Sequence, residues 1–291
     1  MSKVKNTHQS QHQAEFVKCM QKFGGKYQTW EVFADFISMF ACAISNGVDK
    51  VHFKPREEMY MQIIRKYDKE EQLLFPKMMC HVVNGMEENK DCDFLGELYM
   101  ALNLGSHWKG QFFTPYNLCK VMTELQINDI EQKIKSNGFV SVNDPACGAG
   151  ALLIAAANTA AQKIKEFNWQ NHILFVGQDI DAVTAKMCYI QLSLLGCAGY
   201  VKIGDTLANP MTDNEAVYEM TKEDSCYWYT PMYFNDIWNW RRIFHMFDKH
   251  KQKIIATNND TKEKTVQSKE NPQDIDRNEF TTEKNGQLSL F

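Results

Sequence analysis

Apolar residues recur at two different spacings along the chain, and the change of spacing divides it. Between residues 14 and 105 the period is helical. Trp30, Phe33, Ile37, Phe40, Ala41 and Ile44 form one stripe, and Leu95, Leu98, Tyr99 and Leu102 form another. Residues three and four apart share a helix face, so each stripe predicts a buried side. This part reads as a helical packing domain. It shows no cluster of basic and aromatic residues that would mark a nucleic-acid surface.

From 106 to 247 the pattern changes. Residues 139–143, 173–177 and 200–203 are β-rich runs, and helical stretches alternate with them. Val183, Met187, Ile190 and Leu194 give one helical stripe before Gly196, and Leu118, Val121, Met122 and Leu125 give another. Strand, helix and strand in this rhythm predict an α/β domain with a parallel sheet, whose ligands sit at the carboxyl ends of the strands. Residues 248–291 differ again. They hold eight basic and eight acidic side chains, and their only aromatics are Phe280 and Phe291. Such a stretch buries too little apolar surface to offset its ordering entropy, so a disordered tail is expected.

Composition changes this picture little. Of the 291 residues 44% are hydrophobic, enough for a substantial core, and the net charge is -4. That charge argues against a strong independent grip on nucleic acid. The nine cysteines form no C-x-x-C pair. Several lie within apolar runs, which points to reduced, buried thiols in a cytoplasm and to no zinc site. The polar start, residues 1–13, has no apolar signal-peptide core, and no membrane-spanning run is expected.

Candidate chemistry begins at the first strand of the second part. It breaks into Asn143-Asp144-Pro145-Ala146-Cys147-Gly148-Ala149-Gly150, which opens onto the apolar helical run from Ala151. Glycines admit a ligand close to the backbone, and a helix start aims N–H groups at it. A second segment lies upstream, Gly110-Gln111-Phe112-Phe113-Thr114-Pro115. Thr114 reads as a helix N-cap, with Pro115 in the first turn.

This pair of segments, in this order, resembles the adenine-specific DNA methyltransferases. It is most similar to the modification subunit of type I restriction systems, and the resemblance runs from about Asp93 to Leu207. It implies a Rossmann-like S-adenosyl-L-methionine-dependent methyltransferase core with an N-terminal helical domain and a sheet that is short for the family. It implies that Gln111, Phe112, Thr114, Pro115, Asp144, Ala146, Gly148, Gly150, Asp179 and Asp205 line the cofactor site. Thr114 and Pro115 would meet the amino-acid end of the cofactor. Asp144 would accept from its amino group or fix the loop, Asp179 would take the ribose hydroxyls, and Asp205 would lie near the adenine. Asp181 is better explained as the cap of the following helix. Cys147 receives no catalytic role, because methyl transfer to an amino group needs no thiol nucleophile. DNA is the implied substrate, and a specificity or second methyltransferase subunit is an implied partner.

The family pattern then stops. Adenine methyltransferases carry Asn/Asp-Pro-Pro-Tyr/Phe after a fourth strand, and no such tetrapeptide occurs here. Asn209-Pro210-Met211 is the nearest fragment and reads as a turn. In the place of the motif stands the aromatic segment 227–240, followed by Arg241 and Arg242. It reads as a packed cap over the sheet or as a base-stacking site. Residues 287–291, Gln287-Leu288-Ser289-Leu290-Phe291, resemble the bacterial sliding-clamp-binding peptide. There Gln287 would bond at a pocket rim, and Leu288, Leu290 and Phe291 would fill it. Together these features imply a cytoplasmic protein of a bacterium, phage or mobile element. It is either an adenine methyltransferase with a divergent base site or an inactive methyltransferase-like adaptor or partner subunit.

Overall fold

A computed structural model describes residues 10–102, 104, 113–211 and 226–244. The described residues up to Ile243 form one unit, and a second unit starts at Phe244. The expected tail 248–291 and its terminal peptide lie outside the described residues.

Six helices come first: α1 (Gln11–Gln21), α2 (Thr29–Val48), α3 (Phe53–Ile64), α4 (Lys69–Gln72), α5 (Leu74–Glu88) and α6 (Phe94–Ala101). The stripe on α2 is buried at Phe33, Ile37, Phe40 and Ala41, while Trp30 is exposed at the start of the helix. α2 is long and apolar enough to cross a membrane, which the sequence reading did not expect. Most of its apolar stretch is buried inside the fold, so here it is a core helix. On α6, Leu95, Leu98 and Tyr99 are buried.

Next come α7 (Tyr116–Gln126), α8 (Ile130–Asn137), β1 (Val140–Asp144), α9 (Ala151–Lys163), β2 (Ile173–Asp179), α10 (Ala182–Leu194), β3 (Ala198–Ile203) and β4 (Tyr227–Tyr229). The sheet order is β1-β2-β3-β4. β1, β2 and β3 are parallel, with Val142 opposite Phe175 and Val176 opposite Tyr200. The fold is mixed α/β, with a small sheet and a helical N-terminal region.

β2 is buried on both faces. Phe175 and Val201 pack on one side with Trp228 and the α9 and α10 residues Leu153 and Met187. Leu174, Val176 and Tyr200 pack on the other with Tyr229, Tyr233 and Trp238. A strand covered twice reads as a continuous apolar run, as residues 173–176 do. α10 packs against α2 as well as the sheet, so the helical region and the sheet share one core.

The aromatic segment is a cap. Tyr227–Tyr229 pair antiparallel with β3, Tyr233 and Trp238 are buried, and Trp238 Nε1 donates to Gln170 O at 3.1 Å. Both arginines serve it. Arg241 donates to the carbonyls of Asn171 and Gly138, and Arg242 donates to the Tyr233 carbonyl at 2.7 Å.

The helix α7 departs from its sequence pattern. Leu118, Val121, Met122 and Leu125 lie on its exposed side, while Cys119 and Thr123 face α9. The Thr123 hydroxyl meets that of Thr159 at 3.1 Å. Small side chains are what let the two helices approach closely. β1 pairs with β2 along one edge, and no strand among the described residues pairs with its other edge.

Candidate functional site

The glycine loop joins β1 to α9 at the carboxyl end of the sheet. Its turn is closed from inside, where Gly150 N donates to Cys147 O at 2.8 Å. Gly150 caps α9 with φ at 99°, and a Cβ there would lie 2.8 Å from Cys188 Sγ. Only glycine meets both conditions, so the loop can press directly on α10. The first N–H groups of α9 thereby face the open end of the sheet, where they favour a negatively charged or polar ligand group.

Neighbouring strand ends brace the loop. Cys147 N donates to Gln178 O at 2.9 Å, and Gly148 N donates to Asp179 Oδ2 at 2.8 Å. Asp179 Oδ1 also accepts from Asp181 N at 2.8 Å and from the Thr184 hydroxyl at 3.1 Å. Asp181 caps α10 as its sequence position suggests, accepting from Val183 N and Thr184 N. Beyond β3, Asp205 Oδ1 accepts from Leu207 N at 2.8 Å, and the Thr206 hydroxyl donates to Pro145 O at 2.5 Å. The Asp205 turn is thus held against the glycine loop.

A cavity of about 210 Å³ opens in front of the loop. Thr114, Asp144, Ala146 and Gly148 line it together, with Asp93, Phe113 and Cys119. Asp144 Oδ1 accepts from Ala146 N at 3.1 Å. Burial raises the pKa of Asp144, the Ala146 N–H opposes this, and the charge of Asp179 adds to it. Burial also pushes the Asp93 carboxyl up to about 6, against the hydrogen bonds of Gln191 and Gly96 N. Phe113 packs on Gly148 and stacks at a tilt on Tyr99, their ring centroids 5.1 Å apart.

Four of the eight described candidates, Thr114, Asp144, Ala146 and Gly148, therefore line one cavity, while Asp179 and Asp205 approach the loop from the strand ends. Thr114 does not cap α7. Pro115 holds that position, its carbonyl accepting from Leu118 N at 2.9 Å, and no side chain caps the helix. Pro115 is extended, with ψ at 132°, which moves Thr114 one residue outside the helix and into the cavity wall. Gln111 and Phe112 lie outside the described residues, as do Gln287, Leu288, Leu290 and Phe291. Asp93, Gln191 and Thr206 were not found from the sequence. Asp93 caps α6 through Gly96 N, but its bond with Gln191 spans 98 residues and that of Thr206 with Pro145 spans 61, and no local pattern relates those pairs.

The residues fit S-adenosyl-L-methionine. The site has a glycine-bearing turn that a Cβ would fill, a helix start, and carboxylates able to accept from hydroxyl and ammonium groups, and Ile180 next to Asp179 is exposed.

The solved structures that resemble the chain include three methyltransferase-type proteins. One is the methyltransferase subunit of a type I restriction-modification system from Streptococcus thermophilus, 20% identical, with a TM-score of 0.39 over 70% of this chain and 42% of that one. A Listeria monocytogenes protein, assigned as a class I S-adenosylmethionine-dependent methyltransferase, is 18% identical. Its TM-score is 0.41, over 69% of this chain and 56% of that one. A protein assigned as the modification subunit of a type I restriction enzyme from Vibrio vulnificus is 14% identical, with a TM-score of 0.39 over 69% and 56%. The chain spans about half the length of these structures. No curated protein matches it. The model of the N-6 DNA methylase family matches residues 91–273, well over half of the chain, and that stretch includes the loop, the cavity and all three parallel strands. The chain belongs to the N-6 DNA methylase family.

Proposed function

We propose that the chain binds S-adenosyl-L-methionine across the glycine loop and takes part in methyl transfer to the exocyclic amino group of adenine in DNA. The observation that carries the reading is the bond from Gly148 N to Asp179 Oδ2, which locks a helix-opening loop to the acid at the end of the second strand. In this reading Thr114 and Asp144 hold the amino-acid end, Asp179 receives the ribose hydroxyls, and Ile180 and the Asp205 turn flank the adenine. When bound, the cofactor supplies an electrophilic methyl group on its sulfonium. The chain's own residues orient it.

The missing Asn-Pro-Pro-aromatic motif bears on the rest. The amino group of adenine is a weak nucleophile, and acceptors that localise its lone pair are needed. Among the described residues of the aromatic segment, Tyr227, Trp228, Tyr229, Tyr233 and Trp238 are occupied with packing, and Trp240 is exposed. Base capture therefore falls to a partner, such as a specificity or second methyltransferase subunit, and the isolated chain is expected to be a poor catalyst. The same absence favours a second reading, a cofactor-binding adaptor without turnover. In both readings the chain works in a cytoplasm, and residues 287–291 tether it to a bacterial sliding clamp.

Transfer of radiolabelled methyl groups to mixed-sequence DNA, with and without co-encoded proteins, tests the proposal. The expected product is N6-methyladenine, formed with the partners present. Cofactor binding without transfer in any combination would leave the adaptor.

A further inference from the structure

Asp93 has no role in the reading above, yet it lines the same cavity. It is 4% exposed, stands at the start of α6 and shares the cavity lining with Asp144. Its Oδ1 accepts from Gly96 N at 2.9 Å and from Gln191 Nε2 at 2.7 Å. Its Oδ2 accepts no hydrogen bond among the described residues. The carboxylate lies so close over Gly96 that a Cβ there would overlap Oδ2.

Gln191 fixes this arrangement. It is fully buried on α10, donates to Ala149 O at 2.9 Å, and accepts from Leu95 N at 3.0 Å. One amide thus ties the cofactor loop, the start of α6 and Asp93 together. No Lys or Arg among the described residues forms an ion pair with Asp93. A buried carboxylate without a cation is costly, and a structural cap needs no charge at all. Its second oxygen, which lies over Gly96, is left without a hydrogen-bond donor among the described residues, in a side chain that lines the cavity.

We infer that Asp93 is a ligand-binding residue of this cavity, whose Oδ2 receives the α-ammonium of the cofactor's amino-acid end. The inference rests on the cofactor reading and deepens it. An ammonium carries three N–H donors, so it can bridge Asp93 and Asp144 across the cavity. Asp144 is partly engaged by Ala146 N, whereas Asp93 offers one whole oxygen.

Two ligands separate the amino-acid end from the nucleoside. S-adenosylhomocysteine carries the ammonium, and 5′-methylthioadenosine lacks it. Calorimetry on the full chain compares both against wild type and Asp93→Asn. The expected result is a loss of about 10- to 100-fold for S-adenosylhomocysteine, the size of a charge-assisted bond, with methylthioadenosine unchanged. An equal loss for both ligands would mark a structural role and overturn the inference, and so would an unchanged affinity for both. Binding of neither ligand by folded wild type would remove the cofactor reading and this inference with it.

Should Asp93→Asn not fold, wild type answers alone. The ratio of the two affinities should fall as pH drops from 7.5 to 5, and a constant ratio would overturn the inference. Glu97 of α6, Cys92 just before that helix and Cys119 of α7 also face the group, and Asp144 of β1 shares the cavity. Burial raises the Cys92 and Cys119 thiols further above that range. A second acid would act on the same ammonium.

Discussion

The Gly148 N–H points into the Asp179 carboxylate at 2.8 Å, and that bond connects the ends of the first two strands. Asp179 carries two further bonds, from Asp181 N and the Thr184 hydroxyl, so a single side chain orders the glycine loop and the start of α10. A carboxylate accepts about four hydrogen bonds. Three are filled, and the side chain is only partly buried at the end of β2.

Removing this brace should therefore affect binding and local order together. Asp179→Ala is expected to weaken S-adenosyl-L-methionine by roughly 1.5–3 kcal/mol, the contribution of a charge-assisted contact. Hydrogen exchange at the Gly148 amide should speed up in the same variant without ligand. Loss of affinity with unchanged exchange would show that Asp179 contacts ligand but does not organise the loop.

Gly150 makes a prediction about stability. Gly150→Ala places a Cβ at positive φ and against Cys188 Sγ, and it should destabilise the fold by about 1–3 kcal/mol. Cys188→Ala added to it should restore part of that loss, since the overlap goes and the backbone strain stays. Thermal melts of both single variants and the double variant measure the coupling.

The outcome of the sequence reading depended on how far each residue's partners lie along the chain. The three parallel strands and the Asp181 cap follow from runs of a few residues, and the structure has them within about two residues of the expected places. β4 was missed as a strand because three consecutive tyrosine and tryptophan residues show no alternation. The α7 stripe pointed the wrong way because the helix packs through Cys119 and Thr123, which carry little hydrophobic signal. Asp93 and Gln191 are 98 residues apart, and no periodicity relates them.

Asp93 also predicts an opposition between stability and binding. Its carboxyl titrates at about 6 in the fold, above the usual unfolded value of about 3.9. The folded state holds the proton more tightly, so stability falls as pH rises through this window. Above it the buried charge is a full cost. Asp93→Asn should thus melt no lower than wild type at pH 7.5, and any advantage should vanish near pH 4. A marked drop in Tm at pH 7.5 would assign the side chain a purely structural task.

A control far from the cavity is available in the Arg56 cluster. Arg56 donates to Asp49 Oδ2 and to Tyr227 O, and its guanidinium stacks 4.2 Å from the Trp228 ring centroid. The cluster joins α3 to β4. Arg56→Ala leaves Asp49 buried and short of a partner, which should cost about 3–5 kcal/mol. Cofactor affinity of the folded fraction should not change. A parallel loss of affinity would show that the helical region and the site are coupled through this contact.

The central claim is that the glycine loop and the Asp179 brace form a site for S-adenosyl-L-methionine. Titration calorimetry of the purified full chain with that ligand tests it most directly. The account predicts one site per chain, with binding strongly weakened by Asp179→Ala and unaffected by a substitution on the exposed side of α7 such as Leu125→Ala. A folded chain that takes up no S-adenosyl-L-methionine, or that binds it equally well without Asp179, would contradict the account.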